Sequence, residues 1–83
     1  MRVAYIGLYT LTDAQRAREL LGHIGIRARV TRMPAEKGVN CAFGLKLPAK
    51  DAEEAKQLLE NKLLRLGKIV YLRDNGSRQH DLL

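Results

Sequence analysis

The residue with intrinsic chemistry in this chain is its single cysteine, Cys41. A thiolate can attack an electrophilic sulfur or bind a soft metal, and which of the two a lone cysteine can do depends on its neighbours. Six residues separate Cys41 from Pro34, and the segment between them holds Lys37, Gly38 and Asn40 without hydrophobic periodicity, so it reads as a loop. Arg32 and Lys37 bring positive charge to it. Soft-metal transfer generally uses two thiolates close together, whereas His23 and His80 stand far from Cys41 in sequence, so neither a metal site nor a cofactor is expected. No phosphate-cradling glycine motif, Ser-His-Asp set or pair of catalytic carboxylates can be assembled, and the chain is not expected to be an enzyme. Against a reactive Cys41 stands the tendency of free cysteine to be buried as a small hydrophobe.

The elements that position Cys41 follow from periodicity. Val3 to Tyr9 is an uncharged run rich in Val, Ile and Tyr, which fits a central strand. Thr12 then opens a helix, with its hydroxyl capping a free N–H and Gln15 reaching back; Ala14, Ala17, Leu21 and Ile24 form the apolar stripe, and Gly25 stops it. Ile26, Ala28 and Val30 alternate with Arg27, Arg29 and Thr31 as a second strand, and Phe43, Leu45 and Leu47 alternate as a third that ends at Pro48. Asp51 and Glu54 signal a second helix with Ala52, Ala55, Leu59, Leu63 and Leu66 facing the core and Gly67 ending it. Lys68 to Arg73 is the last strand, and residues 74–83 read as a polar, flexible tail.

Two β-α-β units whose helices need the same sheet face give an α+β, ferredoxin-like βαββαβ two-layer sandwich, with strand order 4-1-3-2 and a single domain over residues 1–73. In that topology the loop before Cys41 lies at the sheet edge where the first helix begins. The free N–H groups after Thr12 could therefore stabilise a thiolate, and Lys62, Arg65 and Lys68 approach the same edge. The uncovered sheet face could display Tyr5, Tyr9, Arg27, Arg29, Lys46 and Tyr71, although the alternate set Ala4, Ile6 and Leu8 of the first strand is equally apolar and leaves its parity open. Its third strand offers Ala42 and Gly44 where an RNA-binding sheet carries aromatic residues, so nucleic acid is not an expected partner. A protein surface, including a second copy of the chain, suits that face better.

At 83 residues and 9.4 kDa the chain forms one small core that buries only about 60–65% of the surface its unfolded form exposes, too little to spare for an enclosed active site. A net charge of +6 favours acidic partners and solubility alike. One cysteine cannot form an internal disulfide, which points to a reducing cytoplasm. No segment reads as a signal peptide or as the roughly 20 apolar residues of a membrane span.

Gly25-Ile26-Arg27-Ala28-Arg29-Val30 leading to Met33-Pro34, six residues to Cys41, and then Ala42-Phe43-Gly44-Leu45-Lys46-Leu47 resembles the small bacterial DUF3343 proteins, described as selenium/sulfur carrier-like. The resemblance runs from Tyr5 to Leu72, and its most specific part is the proline-loop-cysteine element. It implies a carrier that holds sulfur or selenium as a persulfide or perselenide on Cys41, between a donor protein and an acceptor protein. Pro34, Lys37, Gly38, Asn40, Ala42 and Thr12 would then surround the carried atom. The family typically reads Pro-Arg, a loop serine and Cys-Gly. Here Ala35 stands for the arginine, Gly38 for the serine and Ala42 for the glycine, which removes two polar groups that could have held an anion. The alternative function is a non-catalytic interaction or dimerisation module that uses the open sheet face.

Overall fold

The computed structural model describes residues 2–34 and 41–73. Lys37, Gly38 and Asn40, and the tail expected over 74–83, lie outside the described residues. The elements are β1 (Arg2–Leu8), α1 (Leu11–Gly22), β2 (Arg29–Arg32), β3 (Phe43–Pro48), a short 3-10 turn (Ala49–Asp51), α2 (Ala52–Asn61) and β4 (Leu66–Arg73). The strands form one antiparallel sheet in the order β2-β3-β1-β4, which is the expected ferredoxin-like arrangement.

Period-two alternation assigns the two faces. Ala4, Ile6 and Leu8 of β1, Val30 of β2, and Leu45 and Leu47 of β3 join Ala14, Ala17 and Leu21 of α1 and Ala52, Ala55 and Leu59 of α2 in one buried core. Both helices therefore cover the same sheet face. The intervening residues face the other way, where Val3, Tyr5 and Val70 form a second, smaller cluster with Met33 and Leu72 packed on it.

Helix boundaries differ from the sequence expectation at three points. Thr10, not Thr12, caps α1: its extended backbone (φ −134°, ψ 156°) lets Oγ1 accept from the Asp13 N–H at 3.0 Å, and Thr12 lies inside the first turn. Asp51 precedes α2 without a side-chain capping bond, because a 3-10 turn leads into the helix there. α2 ends at Asn61 rather than at Gly67, and Leu63, with φ 63°, takes the left-handed position that reverses the chain, while the Leu64 N–H reaches back to the Leu59 carbonyl at 3.1 Å. Leu63 is consequently 91% exposed instead of facing the core, and Leu66 opens β4.

At the end of α1, Gly25 (φ 82°) does supply the expected left-handed turn, and the Ile26 N–H returns to the Leu21 carbonyl at 3.0 Å. That bond ties Ile26 to the helix end. The ladder of β2 thus begins only at Arg29, three residues later than the alternation predicts.

Candidate functional site

Between β1 and β4 the pairing runs Ile6 to Ile69 and then Leu8 to Leu66, so Gly67 and Lys68 together face the single residue Gly7. This is a β-bulge, a device that bends a strand and re-aims what lies beside it. Gly7 also pairs with Gly44 of β3, which pairs with Thr31 of β2. A row of Thr31, Gly44, Gly7 and the Gly67 bulge therefore crosses all four strands. Gly7 points away from the helices, because its neighbours Ile6 and Leu8 point into the helix-covered core.

Two sulfur-bearing side chains fill the shallow trough left above those glycines. The Sγ of Cys41 lies 3.0 Å from where a Cβ on Gly7 would stand, with Cys41 Cβ at 3.2 Å and the Lys68 carbonyl oxygen at 3.1 Å. A Cβ on Gly67 would overlap the same Sγ. A Cβ on Gly44 would overlap the Sδ of Met33, and it would also come within 2.9 Å of the Ile6 carbonyl oxygen. Met33 and Cys41 come from the two ends of the loop, whose base is closed by the Met33 N–H donating to the Ala42 carbonyl at 3.0 Å. The backbone is bare where each sulfur descends, and Cys41 is left 6% exposed.

The structure places the expected site residues as follows. Cys41 lies at the expected edge of the sheet but on the face opposite α1. The N–H groups at the start of α1, and exposed Thr12 among them, are therefore not gathered around the sulfur. Pro34 is half-buried beside Met33, and Ala42 is exposed at the loop base. Gly7 and Gly67, which seat the thiol, were not among the expected site residues. Their signal was nonetheless present, since a glycine inside an apolar strand pattern marks a bulge or a close approach.

The tyrosines do not assemble a platform on the open face. Tyr5 faces that side but is 5% exposed in the Val3–Val70 cluster. Tyr71 pairs with Ala4 and so has the parity of the helix-covered face. Tyr9 lies beyond the end of β1 with the Arg65 guanidinium 5.7 Å over its ring. Of the expected display, Arg27 and Arg29 are exposed and Lys46 is half-buried. Among the described residues no three His, Cys, Asp or Glu side chains are grouped so as to hold a metal ion, and no helix is long and apolar enough to cross a membrane.

A two-layer α+β sandwich with one thiol seated on glycines at a strand bulge defines a small thiol-bearing α+β protein. The chain belongs to the family described as "Putative Se/S carrier protein-like", whose model matches residues 4–71 and so includes Gly7, Cys41 and Gly67. The name of that family describes a carrier. No match was found among curated proteins or among solved structures.

Proposed function

We propose that this protein carries a sulfur or selenium atom on Cys41 from a donor protein to an acceptor protein. The Cys41 thiolate attacks the terminal sulfur of a donor persulfide. The donor's S–S bond breaks as the new S–S bond on Cys41 forms, and the donor leaves as a thiolate that takes up a proton. The acceptor thiolate repeats the exchange, so no external oxidant or reductant enters; a selenium-bearing donor follows the same balance with selenium as the transferred atom. The chain's part is to present one thiol and to protect what it holds. A thiol that must stay reduced between transfers suits a reducing compartment, which supports a cytoplasmic site of action.

The observation that carries this reading is the seating of Cys41 Sγ against Gly7 and Gly67, within the segment matched by the carrier family. The thiol fills the space between those glycines. A second chalcogen atom cannot share it, so loading turns the side chain outward toward an acceptor, while the empty thiol folds back against the bulge and is shielded from adventitious oxidation.

The test is mass spectrometry of the intact chain after exposure to glutathione persulfide, with thiols blocked and reductant omitted. One added sulfur is expected on the wild type, removed by dithiothreitol and absent from Cys41→Ala. In parallel, the amide resonances of Gly7 and Gly67 should shift on loading. A folded chain whose Cys41 takes up no sulfur would leave the thiol as packing and the protein as an interaction module.

A further inference from the structure

At the opposite end of the sheet from Cys41 the structure contains a cleft of about 560 Å³, formed where β2 stops short of β3. The last pair of that ladder is Arg29 with Lys46, so Leu47 and Pro48 run on past it without a β2 partner. The cleft wraps this edge. Its floor is aliphatic, made of Val3, Ile26, Leu47 and Pro48. Its titratable lining residues are Arg18 from α1, Arg27 and Arg29 from the approach to β2 and its start, and Lys46 from β3, and no carboxylate lines it among the described residues.

We propose that this cleft binds a small organic anion: a phosphate or carboxylate head carried on an aliphatic body. The volume lies inside the range of about 300–1,000 Å³ that small-molecule sites occupy, and an apolar floor with a few convergent polar groups is their usual composition. Arg18 and Arg27 supply the head-group recognition, arginine offering the planar fork that meets phosphate or carboxylate two bonds at a time.

A structural role for these cations is the competing explanation, since α1 ends at Gly22 beside them and a helix C-terminus attracts positive charge. That terminus amounts to about half a negative charge, and Arg18 and Arg27 alone outweigh it, so the cleft keeps a positive potential. Arg18 has no acidic residue three or four positions away on its own helix, where Ala14, Gln15, Leu21 and Gly22 stand. Arg29 and Lys46, direct cross-strand partners, border the cleft at the end of the β2–β3 ladder. Gly22 also lines the cleft, and a Cβ added there would meet no atom of a neighbouring element within 4 Å, so a side chain can start from that position into the cleft.

Val3 lies four residues along β1 from Gly7, about 13 Å at the usual ~3.3 Å rise per residue, so binding here and sulfur uptake at Cys41 are scored separately. The experiment titrates the full, isotope-labelled chain with n-hexyl phosphate, inorganic phosphate and 1-hexanol at constant ionic strength, following backbone amide shifts. Hexyl phosphate should give saturable shifts confined to Gly22, residues 26–29, Lys46 and Leu47. Inorganic phosphate and hexanol should each bind at least about ten-fold more weakly, because each offers half of the recognition. Gly22→Leu should abolish the shifts with the rest of the spectrum unchanged, and Arg18→Glu or Arg27→Glu should each weaken binding about ten-fold.

Shifts spread over basic residues elsewhere, equal binding of inorganic phosphate, or an unchanged affinity in Gly22→Leu would each overturn the proposal. Tighter binding of a short Asp- and Leu-containing peptide than of hexyl phosphate would assign the cleft to a protein segment and overturn it as well.

Discussion

The sulfur of Cys41 occupies the space in which a side chain at Gly67 would begin. Bulge and cysteine therefore depend on each other: β4 can carry an extra residue beside Gly7 only if that residue is bare, and the thiol can descend to the sheet only there. Gly67→Ala should force Cys41 out of its rotamer or displace the strand, at a cost of about 1–3 kcal/mol. Cys41→Ala in the same chain should recover most of that loss, giving a coupling term in a double-mutant cycle of denaturant midpoints. Gly7→Ala should be recovered less well by the same partner change, since the Lys68 carbonyl oxygen remains 3.1 Å from the added carbon. Additive effects for Gly67 and Cys41 would contradict this packing.

Thr10 and Thr12 offer a sharp comparison at the start of α1. Only Thr10 has a hydroxyl bonded to a backbone N–H of the first turn, at 3.0 Å, so Thr10→Ala should cost about 1 kcal/mol. Thr12→Ala should lie within about 0.5 kcal/mol of wild type, since Thr12 is exposed inside the helix and alanine is a better helix former. Thermal or urea unfolding of the two variants measures the difference. A larger loss at Thr12 would move the cap.

The two threonines also show what was legible in the sequence. Periodicity sees which residues face the core, and it placed four strands, two helices and the sheet order, because burying Ile6, Leu21, Leu45 and Leu59 together is the dominant energy. It cannot see which threonine adopts the extended backbone of a cap, and the capping-box spacing of Thr12 and Gln15 pointed to Thr12. It also cannot see a helix that stops on a leucine. Leu63 and Leu66 continue the apolar stripe of α2, and the early exit at Leu63 is set by the need to bring Leu66 opposite Leu8. The end of the sheet at which Cys41 lies was legible in the topology. The face was not, because Cys41 precedes β3 and no alternation fixes which way its side chain turns.

Leu21 and Leu59 are fully buried at the centres of the two helix stripes. Each truncation to Ala should cost about 2–4 kcal/mol, since a core of this size has few side chains able to refill the cavity. Cys41→Ser should cost less, about 1–3 kcal/mol, because it exchanges a small buried sulfur for a hydroxyl of similar size, which buries a polar group without opening a large cavity. Chemical denaturation of the three variants ranks them. A Cys41→Ser loss equal to that of Leu21→Ala would mean that the thiol is as much core as the leucines.

Leu63 holds a left-handed backbone (φ 63°) with its side chain 91% exposed, so it pays a conformational penalty and gains almost no burial. Glycine adopts this conformation without the Cβ clash and is the usual residue at this point of a helix ending, where the Leu63 N–H bonds to the Glu60 carbonyl at 3.0 Å and the Leu64 N–H to Leu59 at 3.1 Å. Leu63→Gly should therefore raise stability by about 0.5–1 kcal/mol after allowing for the greater freedom of glycine in the unfolded chain. Leu63→Ala keeps the strain and should stay close to wild type, while Leu63→Val, branched at Cβ, should be the least stable of the series. The order Gly, Leu or Ala, Val is the expected result in thermal unfolding. An alanine variant at least as stable as the glycine variant would show that the helix ending is not held in the left-handed region.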